Sequence, residues 1–150
     1  MKIWIDADGC PRAVREIVFK ASRRLKVPVT LVANSYVETP KDKIINFIQV
    51  PHGQDVADSF IIDRVSPEDI VITSDIPMAA LVVEKGGQAL SHRGELWTSQ
   101  NVRERLSVRN FMADLRDSGI VAGGPKAMGQ ADRRRFASTF DRILTQAQRR

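Results

Sequence analysis

A chain of 150 residues, 43% hydrophobic, is the length of one domain and holds enough apolar side chains to close a core; its single cysteine excludes an internal disulfide and a Cys-based zinc site. No run approaches the roughly 18 uninterrupted apolar residues of a membrane span, and acids by the sixth position argue against a signal peptide, so a cytoplasmic protein is expected. The net charge of +5 is uneven: residues 1–100 carry 12 Lys/Arg against 13 Asp/Glu, net −1, whereas residues 101–150 carry 11 against 5, net +6.

The first element is an apolar strand, Lys2-Ile3-Trp4-Ile5, running into Asp6-Ala7-Asp8-Gly9. Gly9 and Pro11 break it, and residues 12–25 then carry Val14, Ile17, Val18, Ala21 and Leu25 at helical spacing. A β-branched strand over 27–33 ends in Asn34-Ser35, and a polar stretch with Pro40 over 36–43 reads as a loop. A third strand, 44–50, closes on Pro51-His52-Gly53. Residues 55–65 predict a helix with Val56, Phe60 and Ile61 toward the core, stopped by Ser66-Pro67-Glu68. The most apolar strand, 70–73, ends in Ser74-Asp75; Pro77 suits a helix start, and 78–85 follows up to Gly86-Gly87. Residues 88–90 predict a short fifth strand.

This alternation predicts an α/β fold with a single doubly wound, mainly parallel sheet covered on both faces. From Thr98 the pattern changes to a helix over 101–117, a glycine-rich loop over 119–129 and a helix over 132–148. The chain therefore reads as one domain, with an α/β core over 1–97 and a basic helical elaboration over 98–150.

In a parallel sheet all strand C-termini lie on one edge, where ligands bind. Asp6 and Asp8 follow the first strand, Asp55 and Asp58 open the helix after the third, and Asp75 follows the fourth. Any one of them can be a turn or cap residue. Three such ends on one edge predict a hard-cation site for Mg²⁺ or Mn²⁺, which take oxygen ligands. Such a cation makes its coordinated water acidic enough to attack a phosphodiester. Asn34, Ser35, Thr73 and Ser74 at the same edge are candidates to hold substrate. His52 and His92 lack the spacing of a zinc pair, and Cys10 reads as a small buried filler.

Several motifs occur in a distinctive order: Asp6-Ala7-Asp8-Gly9-Cys10-Pro11, Val32-Ala33-Asn34-Ser35, Asp55-Val56-Ala57-Asp58, Thr73-Ser74-Asp75-Ile76-Pro77-Met78-Ala79, His92-Arg93-Gly94, Gly123-Gly124-Pro125-Lys126 and Asp132-Arg133-Arg134-Arg135-Phe136. The set resembles the bacterial YaiI/YqxD family, UPF0178 or DUF188, over nearly the whole chain. That family is grouped by fold and acid placement with PIN-like domains, many of them metal-dependent ribonucleases. The resemblance implies a nuclease-like, Rossmannoid core with Asp6, Asp58 and Asp75 as the main acids and Asp8 and Asp55 in support.

The expected activity is Mg²⁺- or Mn²⁺-dependent cleavage of nucleic acid, RNA in preference to DNA, with Asp6, Asp8, Asp58 and Asp75 catalytic. Lys126, Arg133 and Arg134, extended by Arg135 and by Arg103, Arg105 and Arg109, would track the phosphate backbone. Two alternatives stand beside it. A haloacid-dehalogenase-like phosphatase would use Asp6 as nucleophile, Asp8 as acid/base and Thr73 or Ser74 for phosphate, but such enzymes place their second acidic pair after the Thr/Ser strand, and here Asp55 and Asp58 precede it. A non-catalytic RNA- or partner-binding module fits the basic C-terminal third and leaves the retained acids without a use.

Overall fold

The computed structural model describes residues 1–117 and 128–149, and side chains within 1–108 and 128–149. Among the described residues six strands form one sheet: β1 (Ile3–Asp6), β2 (Val29–Ala33), β3 (Ile45–Gln49), β4 (Ile70–Ile72), β5 (Gln88–Leu90) and β6 (Leu96–Trp97). Their order is β3-β2-β1-β4-β5-β6, with every pairing parallel except β5 with β6. Five helices among the described residues accompany them: α1 (Arg12–Leu25), α2 (Val56–Arg64), α3 (Ile76–Glu84), α4 (Ser99–Asp117) and α5 (Gln130–Gln148). No helix among the described residues is long and apolar enough to cross a membrane.

Successive strand side chains point to opposite faces, and the two faces of β1 feed two cores. Ile3 and Ile5 pack with Val14 and Val18 of α1 and with Phe136, Phe140, Ile143 and Leu144 of α5. Trp4 packs on the other face with Ile61 of α2, Met78, Ala79 and Val82 of α3, and Val102 of α4. The fold is thus doubly wound, as the alternation predicts. The two C-terminal helices divide between the faces, and α5 supplies the stacked pair Phe136–Phe140, centroids 5.5 Å apart, to the main core. It is a core helix as much as an elaboration.

Strand β6 has no signature in the sequence. Two residues carry no usable period, and the strand exists through its antiparallel pairing of Trp97 with Ala89 and Leu96 with Leu90. Helix α5 starts two residues earlier than the periodicity predicts, because the Asp132 carboxylate accepts the Gly129 N–H at 3.2 Å and caps the first turn. Most of the predicted loop 119–129, including Lys126, lies outside the described residues.

Asp69, just before β4, is a buried carboxylate spent on architecture. It accepts the Lys2 and Ser66 backbone N–H groups at 3.0 and 2.9 Å and the Trp4 indole N–H at 3.2 Å. Asp69→Ala strands three donors and is expected to lower stability by about 2–3 kcal/mol, read as a shift in the urea midpoint at unchanged m-value.

Candidate functional site

The chain reverses its direction of winding at β1, with β2 on one side and β4 on the other, which makes the crevice beyond β1 and β4 the switch point of the sheet. Asp6 is the last residue of β1. Its Oδ2 accepts the Thr73 hydroxyl at 3.1 Å, and that hydroxyl in turn accepts the Asp75 N–H at 3.1 Å. Thr73 is fully buried with its hydroxyl used in both directions, so it positions Asp6 and Asp75. Asp75 is the N-cap of α3, accepting the Met78 N–H at 3.0 Å, with Pro77 in the first turn. Asp58 lies in the first turn of α2, and Asp55 precedes that helix in a left-handed conformation (φ 63°) with no side-chain capping bond. The capping explanation therefore holds for Asp75 and fails for Asp55.

These acids act on one another. The Asp6 carboxyl is raised to about 7, first by burial and then by the negative charges of Asp58, Asp75 and Asp8, against the opposing Thr73 hydrogen bond. Asp58 is raised to about 6, first by burial, then by the charge of Asp75 and a hydrogen bond with it, then by Asp55 and Asp8. Three sequence-distant segments thus bring their carboxylates into mutual electrostatic range, as expected from their shared edge. A cleft of about 420 Å³ between α2 and α3 is lined by Asp55, Asp58 and Asp75. Asp63 lines it too; in the last turn of α2, away from any strand end, it looks in sequence like any solvated helix acid.

Among the described residues no three His, Cys, Asp or Glu side chains stand close enough together to hold a metal ion as they are placed. The donor chemistry nevertheless fits a hard divalent cation: the site offers carboxylate oxygens, and burial and mutual repulsion raise Asp6 and Asp58 in a way that a positive charge would offset. Asp6, Asp58 and Asp75 are the residues that would hold it.

The remaining candidates separate. Asp8 Oδ2 accepts the Asn34 N–H at 2.9 Å, tying the β1–α1 loop to the end of β2, and the Ser35 hydroxyl donates to Asn34 Oδ1 at 3.1 Å. Ser74 is exposed, and its Oγ accepts the His92 N–H at 3.3 Å. His92 sits with Nε2 buried and without a hydrogen-bond partner, and burial followed by the Arg93 charge lowers it to about 4. His52 is exposed. Cys10 is buried and its thiol is pushed up to about 12 by desolvation, which makes it the inert filler expected. Lys126 lies outside the described residues, as does the side chain of Arg109.

Arg133, Arg134 and Arg135 are exposed near the start of α5 and form no ion pair among the described residues. Their placement follows from contacts. The turn after β5 reaches the loop after β4 through His92 and Ser74, and Gly94 of the same turn lies against the backbone of Arg135 and Phe136. Arg93 adds an ion pair to Asp132. The beginning of α5 therefore sits at the sheet edge that carries the carboxylates. Arg105 is instead occupied by Glu95 at 3.1 Å.

The profile of DUF188, described as "Uncharacterized BCR, YaiI/YqxD family", matches residues 4–146. A UPF0178 protein of Citrifermentans bemidjiense is 58% identical over 145 residues, covering 97% of this chain and 94% of its own. UPF0178 proteins of Dechloromonas aromatica and Colwellia psychrerythraea are each 53% identical, over 96% of both chains and 97% of both chains respectively. No solved structure matches significantly. Matched from the first strand into the last helix, and to relatives over nearly their full length, the chain belongs to the YaiI/YqxD family.

Proposed function

We propose that the acidic edge is a Mg²⁺- or Mn²⁺-dependent phosphodiesterase site acting on nucleic acid, RNA in preference to DNA. The observation that carries the proposal is Asp6 at the switch point, held by Thr73 and raised to about 7 among Asp58, Asp75 and Asp8. A bound divalent cation supplies a nucleophilic water at neutral pH and offsets charge developing on the phosphate. The chain's own work is to aim Asp6 through Thr73, to fix Asp75 through its cap on α3, and to present Asp58 from α2. The preference for RNA rests on the family's likeness to PIN-like ribonucleases. The phosphatase alternative is weakened by Thr73, whose buried hydroxyl is already committed to Asp6 and Asp75.

Purified protein with Mn²⁺ is expected to cleave a mixed single-stranded RNA panel and to leave a phosphatase substrate intact, and Asp6→Asn is expected to abolish cleavage. Cleavage that persists in Asp6→Asn would place the activity elsewhere.

The exposed arginines at the start of α5 would meet the backbone leading into the cleft. Each lost phosphate contact lowers the log–log salt dependence of single-strand binding by about 0.7. Arg133→Gln with Arg134→Gln is therefore expected to reduce the slope by about 1.4 while leaving the melting temperature in place, since neither side chain is buried. An unchanged slope would mark these residues as a solvated face.

A further inference from the structure

The loop between β2 and β3 has no helix to bury it, yet it holds the most exposed large apolar side chain among the described residues, Tyr36, at 75% exposure. The ring is anchored: it packs edge-on to Phe47 of β3, centroids 5.9 Å apart and planes at 79°, and Phe47 packs against the main core. Tyr36 lines a groove of about 490 Å³ between this loop and the start of α1, together with Arg12, Arg15 and Phe19. The Arg15 guanidinium donates to the Cys10 carbonyl at 2.9 Å, which holds it across the entry to α1. Among the described residues Arg12 pairs with Glu16, at 3.1 Å, with both side chains largely in water, and such exposed helix pairs are weak.

The groove is linked to the acidic site through the loop that follows β1. Asp8 and Cys10 belong to the loop that leaves Asp6; Asp8 binds the backbone of Asn34, two residues before Tyr36, and Cys10 binds Arg15. An anchored, solvent-facing aromatic ring beside two guanidinium groups is the arrangement on which proteins stack unpaired bases. Glu16 and Glu38 balance the two arginines, so the groove is no general sink for polyanions. Its affinity has to come from the ring and from flat guanidinium faces.

We propose that this groove is a base-stacking subsite for single-stranded nucleic acid, in which Tyr36 takes a base and Arg12 and Arg15 flank it. It rests on the reading of the acidic edge as a phosphodiester site, since that neighbour gives a base-binding groove its use. It also adds to that reading. A stacked base must be unpaired, so the substrate class becomes a single strand, entering from the β2–β3 side and distinct from the contacts at α5.

The test is binding of the full-length protein, in EDTA, to a short fluorescent single-stranded oligoribonucleotide, to an abasic strand of equal length and to a duplex. The wild type is expected to bind the base-bearing strand better than either of the others. Tyr36→Ala is expected to weaken binding of that strand by at least about fivefold, the lower end for one lost stack, and to abolish its advantage over the abasic strand. Tyr36→Phe, which keeps the ring, is expected to retain both. The proposal is overturned if no strand binds, if base-bearing and abasic strands bind equally to the wild type, or if Tyr36→Ala leaves their ratio unchanged. Because no metal is present, these results are independent of cleavage. Loss of the cleavage reading alone would leave the stacking ratios intact, and loss of the stacking subsite alone would leave Mn²⁺-dependent cleavage intact.

Discussion

In metal-free buffer at pH 8, Asp6→Asn is expected to be more stable than the wild type by an amount on the order of 2 kcal/mol. The sign follows from the carboxyl's position in the two states. Its ordinary value is 3.8 and burial among other acids raises it to about 7 in the folded protein. Between those values the folded state keeps a proton that the unfolded chain releases, so the contribution of Asp6 is most favourable below about pH 4 and is lost as the pH rises to about 7. Asparagine carries no charge to desolvate and still offers the Thr73 hydroxyl an acceptor. The two proteins should therefore melt alike near pH 4 and diverge to a plateau above pH 7. The magnitude is set below the full shift because Asp6 is only partly shielded from water.

His92 tilts the profile the other way. Lowered from 6.5 to about 4, its neutral form contributes stability that is present above pH 6.5 and lost as the pH falls through 4. That contribution is common to both proteins and cancels in their difference. At roughly 2–4 °C per kcal/mol for a domain of this size, melting curves in EDTA from pH 4 to 8 resolve the effect. Added Mg²⁺ should raise the melting temperature of the wild type and leave Asp6→Asn unmoved. Equal melting at pH 8 would mean that Asp6 carries no unfavourable charge and would remove the main reason to expect a cation there.

Gly94→Ala is expected to lower stability by an amount on the order of 4 kcal/mol, the sum of two effects. Gly94 has φ +85°, a conformation costly for any residue with a Cβ. A Cβ at that position would also lie 2.6 Å from the Arg135 carbonyl carbon and 2.7 Å from the Phe136 N, both backbone atoms of α5. No rotamer change relieves contact with a helix backbone, so α5 has to shift. Phe136 and Phe140, both fully buried in the core, shift with it. Gly9 is the control: its φ is +82° and a Cβ there meets nothing within 4 Å. Gly9→Ala should show only the conformational cost, about 1 kcal/mol. Urea unfolding of both variants separates strain from contact, and equal losses would refute the close approach of the turn to α5.

The parts of the molecule that were legible in the sequence are those governed by short-range regularities. The apolar runs ending in Asp6, Ala33 and Thr73 announce buried parallel strands, the helical spacing of Val14, Ile17, Val18, Ala21 and Leu25 announces α1, and Pro77 announces the start of α3. Those local patterns, together with the rule that parallel strands end on one edge, were enough to place Asp6, Asp58 and Asp75 in one neighbourhood; the family came instead from the resemblance of the ordered motifs. The local patterns also gave the correct fate of Cys10.

Tertiary structure alone decided the rest, because it depends on contacts between segments that leave no periodic trace in either. Asp69 looks like any turn acid until Lys2 and Trp4, more than sixty residues away, donate to it. Thr73 reads as a phosphate ligand until its hydroxyl is found buried between Asp6 and Asp75. Strand β6 exists through its pairing with β5, and Gly94 is required by the backbone of α5 some forty residues later. The sequence by itself determined the five parallel strands, the helices between them and the edge on which their acids stand, since helix and strand periods and chain direction are properties of a segment. Which of those acids are charged at pH 7, and which polar groups are free to meet a ligand, was decided by packing, since burial and partner distance are properties of the whole fold.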